Sequence, residues 1–344
     1  MLAAGLMSLA GQAWANDDMA VQEKAMRVVD SLLPSDIQTR KKDMEKADVP
    51  GYVKVVYEAK SRRGWIPIEM FIRDSADYAF LGRMYKLDPG MSPREKAQKA
   101  MASRLPKRFE RKIIQSGKTP MKGVKEFLFQ VKVPKRGPQP VAAYVGKDFG
   151  VVGQLFDPNN KNLTEVSKEK WAGSQVAWKD LIKGLKPVYG SADAPVKFAM
   201  FTDPECPACQ HAKGRIDALM EKHGKDLAGY LLWFPLSIHA HAKPKAKVLA
   251  CSPADRQSKM FNALKGTEPK NVDDVFSALE DKGIDLSEQV HKCVSSGKAK
   301  ERLQRYRHFA NEMQVNSVPS VYYKGRLYKG FPETEIRQAL KSQD

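Results

Sequence analysis

Residues 201–216 read FTDPECPACQHAKGRI, a Cys-Pro-Ala-Cys where an apolar run meets a segment of helical spacing. Such a pair of thiols serves as a metal clip, a haem tether or a redox couple. Haem attachment needs His directly after the second Cys, and Gln210 stands there. Structural zinc needs a second ligand pair, but His211, Cys251, Cys293, His239 and His241 are not spaced as one. An inert disulfide across two intervening residues would close a small, strained ring, which is more often redox-active than structural. Redox chemistry is therefore the reading, with no metal and no bound cofactor expected.

The flanking residues sharpen it. Val196 to Thr202 is an apolar run of strand length, and Pro207 suits the first turn of a helix running to about Lys222. A helix start presents unpaired N–H groups and a positive dipole end, so an anion is favoured there. The spacing predicts Cys206 as a nucleophile of lowered pKa and Cys209, one turn in, as the shielded resolving thiol, with Pro207 and Ala208 as the intervening dipeptide. Four cysteines allow three pairings, and the short spacing of the first two favours Cys206 with Cys209, leaving Cys251 with Cys293. As a disulfide, that second pair would close a long loop and contribute about 4 kcal/mol as a scaffold staple.

The chain has 344 residues, enough for two domains. Its first fifteen residues, MLAAGLMSLAGQAWA, are apolar, uncharged and end in Ala-Trp-Ala, which predicts a signal peptide at 1–15 and an exported protein, with disulfides permitted. No later run approaches the roughly 20 apolar residues of a membrane span. The net charge of +18 is uneven: residues 191–344 hold 24 Lys+Arg against 19 Asp+Glu, and the remainder 34 against 21. A basic stretch at 104–125 contains one aromatic residue, Phe109, and no recognition motif, so it reads as a solvated face and no nucleic-acid partner is expected.

Residues 16–50 read as a helical extension, with helical spacing before Pro34 and a charged stretch from Ser35 to Asp48. Strand-like runs follow at 53–60, 65–72 and 77–87. A helix opens at Ser92-Pro93-Arg94-Glu95, and further strands fall at 126–133, 141–145 and 151–156. Trp171 to Leu185 has the spacing of a connecting helix. The chain reads as free of internal repeats. Beyond Ser191 the order is strand, helix, strand, several helices, two short strands and a last helix.

FTDPECPAC after an apolar strand, then YLLWFP, the Cys251 and Cys293 pair, and VNSVPSVYYKGRLYKGF with a terminal helix resemble periplasmic thiol:disulfide interchange proteins of the DsbC/DsbG type. The likeness spans roughly residues 140–344. It implies an α/β thioredoxin-like catalytic domain with a helical insertion at 189–344, and a linker helix at 166–188. An α+β dimerisation-type domain at 51–165 would precede them, giving a homodimer or higher oligomer. It also implies Val318-Pro319 as a cis-proline loop that binds client polypeptide, and a structural disulfide within the insertion. The implied activity is isomerisation or reduction of wrongly paired disulfides in client proteins, with recycling by a membrane thiol reductant of the DsbD type. Val318 and the Cys-Pro-x-Cys form are more typical of DsbA-like oxidases, which makes dithiol oxidation the alternative. A non-catalytic chaperone or assembly factor is a further one.

Overall fold

The computed structural model describes residues 6–133 and 137–342, with side chains from residue 18 onward. The chain divides into two compact units, Met1–Lys168 and Glu169–Asp344. Of the expected leader, residues 1–5 lie outside the described residues, and from Leu6 the backbone is helical. Among the described residues no helix is long and apolar enough to cross a membrane.

The first unit contains α1 (Leu6–Leu32), β1 (Thr39–Lys46), β2 (Tyr52–Ser61), β3 (Gly64–Arg73), β4 (Ala79–Lys86), α2 (Pro93–Arg104), β5 (Arg111–Lys118), β6 (Lys125–Val133), β7 (Gly137–Val145) and β8 (Phe149–Phe156). The eight strands form one sheet in the order β1-β2-β3-β4-β8-β7-β6-β5, antiparallel throughout. Ser92 caps α2 by the expected capping box with Glu95. Val21, Ala25, Val28 and Val29 of α1 pack on Val55, Met70 and Ile72, while Ala97, Ala100 and Met101 of α2 pack on Phe127, Phe129 and Ala143. Helical and period-two spacing thus meet on one face of the sheet.

Two expectations are corrected here. Residues 39–46 are not part of a helical extension but an edge strand paired with β2. TRKKDMEK carries a single apolar side chain, Met44, so it has no stripe to seat as a helix, and its backbone is satisfied by the sheet instead. The second correction concerns repeats, because the unit is a duplication. From Ala25 to Gly51 and from Ala97 to Gly123 equivalent positions of the two helix-and-strand units lie 72 residues apart without a gap, with Ala25, Ser31, Leu33, Pro34, Lys46 and Gly51 recurring as the same residue. Leu33-Pro34 recurs as Leu105-Pro106, Ser31 as Ser103, and Asp77-Tyr78 before β4 as Asp148-Phe149 at β8. Each copy is one helix and four strands. Even the irregularities repeat, since the β1/β2 ladder slips between Lys41 and Asp43 and the β5/β6 ladder between Ile113 and Gln115.

The copies join through β4 and β8, whose register sets Gly82 opposite Gly153. A Cβ at Gly82 would fall on the Val152 carbonyl oxygen, and one at Gly153 on that of Leu81. Only glycine allows this approach.

The second unit takes in the second half of α3 (Leu163–Ser174), then α4 (Trp178–Leu181), β9 (Val196–Thr202), α5 (Pro207–His223) and β10 (Leu227–Trp233). After these come α6 (Ala242–Cys251), α7 (Ala254–Ala263), α8 (Val272–Glu280), α9 (Glu288–Ser295), α10 (Lys298–Glu312), β11 (Ser320–Tyr323), β12 (Arg326–Lys329) and α11 (Glu333–Lys341). Its sheet order is β10-β9-β11-β12, with β10 parallel to β9 and the other pairs antiparallel. All seven β10 residues are buried, which is why it reads as an unbroken apolar run. No single helix spans 171–185. The chain breaks after Ser174 so that the Trp178 ring stacks on Tyr322, at 5.7 Å between centroids, and meets Tyr230 edge-on at 5.6 Å.

The Gly82/Gly153 contact is directly testable. Gly153→Val should lower the stability of the first unit by about 3 kcal/mol or more, because a backbone oxygen cannot yield to the new side chain. Gly117→Val, on the exposed β5 edge with nothing near its Cβ, should cost less than about 0.5 kcal/mol. Denaturant midpoints of the two variants check the difference.

Candidate functional site

The Cys-Pro-Ala-Cys stretch lies where β9 ends and α5 begins. Cys206 is the N-cap residue of α5, Pro207 its first helical residue, and the Cys206 carbonyl accepts from the N–H groups of Cys209 (3.0 Å) and Gln210 (3.1 Å). Both thiols are free and buried, Cys206 with 8% of its surface exposed and Cys209 with none. The Cys206 Sγ lies 3.6 Å from the carbonyl oxygen of Val318, to which it can donate. The Val318-Pro319 peptide is cis. Residues 112 apart in sequence are thus brought together: Cys206, Cys209, Val318 and Pro319 share one site. Cys251 and Cys293 do not belong to it; they are joined by a disulfide between the end of α6 and α9.

Cys209 is held differently from Cys206. Its sulfur accepts the Asp203 N–H at 3.4 Å, and burial pushes its thiol up to about 12, with the neighbouring Cys206 adding to the rise. At neutral pH it is a sealed, protonated thiol.

Four further residues frame the thiols without having been singled out in the sequence for that role: Asp203, Glu205, His239 and Lys245. The Asp203 carboxylate, with no exposed surface, accepts from the Glu205 N–H and the Leu236 N–H, each at 2.7 Å, and meets His239 Nδ1 at 2.9 Å. Glu205 accepts from Lys245 Nζ and from the His241 N–H, both at 2.9 Å, and Lys245 also donates to the Thr267 carbonyl at 2.6 Å. Burial pushes the Glu205 carboxyl up, but the Lys245 ammonium and the His241 N–H outweigh it and hold it below the usual carboxylate value. Lys245 has one sequence signal: it sits in the apolar phase of α6, beside Ala242, Ala246 and Leu249. His239 and His241 drew attention only as poorly spaced metal ligands. A cleft of about 610 Å³ opens beside this cluster, lined by Glu205, Pro207, His211, Ile238, His241 and Lys265 among others. Ile238 is 81% exposed at its rim.

A helix between parallel β9 and β10, an antiparallel β11 and β12, and a cis-proline facing the first turn define a known arrangement. A family model described as Thioredoxin matches residues 183–342. The C-terminal unit has a thioredoxin-like fold. Among curated proteins, the Na(+)/H(+) antiporter NhaA 1 of Mycobacterium sp. (strain KMS) is 28% identical over 148 residues, 42% of this chain and 24% of that protein. The chain therefore spans about a quarter of the length of such relatives. Among solved structures, the thiol-disulfide exchange protein α-DsbA2 from Wolbachia pipientis is 17% identical with a TM-score of 0.43, covering 52% of this chain and 98% of that one. The catalytic domain of Proteus mirabilis ScsC is 17% identical with a TM-score of 0.38, covering 51% and 97%.

Two outcomes follow from the burial pattern. Because folding raises the Cys209 pKa, the protonated thiol is the form the fold favours. Stability of the reduced protein should be full below the ordinary thiol value of 9.0 and fall as pH climbs from there toward about 12. Denaturant midpoints across that range should slope less for Cys209→Ala than for wild type. Glu205→Gln should cost about 3 kcal/mol by leaving the Lys245 ammonium, 2% exposed, without its counter-charge, and Glu205→Gln/Lys245→Met should recover most of the loss.

Proposed function

We propose that the protein is a thiol-disulfide oxidoreductase that isomerises or reduces wrongly paired disulfides in client proteins. One observation carries the reading: two unbridged thiols at the start of α5, one facing a cis X-Pro peptide and the other sealed beneath, while the remaining cysteines are already paired. A scaffold thiol pair needs no such asymmetry.

Cys206 stands at the N-cap of α5, beside the Val318-Pro319 peptide. Its thiolate attacks one sulfur of a client disulfide; an S–S bond forms to Cys206 Sγ, the client S–S bond breaks, and the other client sulfur leaves as a thiolate. In isomerisation, a second client thiolate attacks the client sulfur of the mixed disulfide and releases Cys206 in its starting state. In reduction, Cys209 loses its proton and attacks Cys206 Sγ, releasing the client thiol and leaving a Cys206–Cys209 disulfide. An external dithiol, such as a membrane reductant of the DsbD type, must then supply the electron pair. The segment at Val318-Pro319 lies against the reacting sulfur and would align the client main chain beside it. The high affinity of Cys209 for its proton favours a long-lived mixed disulfide, which gives clients time to exchange. The Cys251–Cys293 bond and the apolar residues 1–15 support action in an oxidising, exported compartment such as the periplasm.

Refolding of scrambled ribonuclease tests the reading. Wild type should unscramble it in glutathione buffer, Cys206→Ala should do no better than buffer, and Cys209→Ala should retain shuffling while accumulating mixed disulfide. Equal rates for wild type and Cys206→Ala would remove the enzymatic reading. Faster oxidation of reduced ribonuclease than unscrambling would replace it by dithiol oxidation, the direction that Val318 favours by resemblance.

A further inference from the structure

The duplication in the first unit has a consequence for assembly. A single helix-and-four-strand module would end in an unpaired β4, with its edge N–H and C=O groups and a row of aromatic side chains open to water. A lone module of this kind must find a second one. Here the second is supplied in the same chain.

The seam between the copies is built as an interface. β4 and β8 pair over eight positions centred on Gly82 opposite Gly153. Aromatic rings interlock across it: Tyr52 and Phe80 from the first copy meet Phe149 at 5.3 and 6.0 Å between centroids, and Phe80 meets Tyr144 at 5.6 Å. Each copy's core borrows from the other. Phe156 of β8 completes the cluster under α1, while Tyr85 of β4 and Leu87 just after it join the cluster under α2. The helices also exchange cations. Buried Lys24 of α1 donates to the Asp157 carbonyl after β8, and its counterpart one repeat later, buried Lys96 of α2, donates to the Pro89 carbonyl after β4 at 3.1 Å and to that of Lys147 at 2.5 Å. This reciprocity is the signature of a twofold contact, in which each partner gives what it receives.

The outer edges are built the opposite way. β1 is exposed along nearly its whole length and carries Arg40, Lys41 and Lys42; β5 carries Arg111, Lys112 and Lys118. Charged edges resist the addition of further strands.

We infer that the first unit is a covalently closed pseudo-dimer, two copies of one module joined edge to edge, and that the chain therefore works as a monomer, with one thiol pair for every two modules. This replaces the homodimer implied by resemblance. The β4 edge that a separate module would offer to another chain is already occupied from within, and the remaining edges are charged.

Sedimentation equilibrium of the full reduced chain tests this. One-chain mass is expected at every concentration through the micromolar range. A protease site inserted after Gly90, in the turn between the copies, provides a second readout: after cleavage both fragments should sediment together as one particle of one-chain mass, separating only in denaturant. A two-chain mass for wild type, or release of fragments in native buffer from a variant whose uncut form unfolds like wild type, overturns the inference. If the insertion variant does not fold, the wild-type mass alone decides. Neither measurement involves the cysteines, so a failure here is distinct from a failure of the thiol chemistry.

Discussion

One buried carboxylate holds the thiol corner together. Asp203 has no exposed surface, and a carboxylate taken out of water must have its lone pairs satisfied. It meets that demand with the N–H of Glu205, the N–H of Leu236 and the His239 ring, while its own N–H turns to the Cys209 sulfur. Those partners lie on the segment entering α5 and on the loop leaving β10, so one side chain ties together the two chain passages that frame the cysteines. Glu205 and Lys245 extend the tie to α6 and, through Thr267, to the segment after α7. The segment that carries the thiols is thereby tied down by charged groups. Such networks are stable only when every member is satisfied, and this one is.

Asymmetry between the two thiols follows from that frame. Cys206 sits at the mouth of the corner, its sulfur against the Val318 carbonyl; Cys209 lies one turn deeper, under the first turn of α5. Burial favours its neutral form, so the second sulfur keeps its proton until the first is engaged. A pair equally exposed would close on itself readily. Here closure would require a proton to leave a sealed site first.

The strands and the helix that frame the thiols were legible in the sequence, because β9 and β10 are buried on both faces and read as short apolar runs with Cys206-Pro207 marking the helix start between them, whereas the five helices from α6 to α10 were read only as several. The charged frame of the C-terminal unit was not legible. Nothing in spacing links Glu205 to Lys245 or Asp203 to His239; only the lysine's place in the apolar phase of α6 marked it. In the N-terminal unit the strands of central position were legible, but β1 and β5 were not, since edge strands with charged side chains show no alternation. The duplication was hidden for a related reason. What the copies share is the set of positions where backbone is constrained, such as Leu33-Pro34 and Leu105-Pro106, Gly51 and Gly123, or Gly82 and Gly153, while surface residues between them have diverged and the β3/β4 turn is longer than the β7/β8 turn.

The uneven charge of the chain belongs to the same architecture. Basic residues concentrate in the half that contains the open-edged sheet, and many lie on or beside its outer strands: Arg40, Lys41, Lys42 and Lys46 on β1, Arg111, Lys112 and Lys118 on β5. Some are paired locally, as Arg40 and Lys42 are with Glu58, which fixes the edge without neutralising it. An antiparallel sheet of eight strands has two edges whatever its internal symmetry, and duplication removes only the edge at the seam. Runs of Lys and Arg at both remaining ends disfavour edge-to-edge approach in the registers that set them against one another. Charge placed this way requires no basic-surface partner to account for it. It is what a closed pseudo-dimer needs in order to stay a single chain.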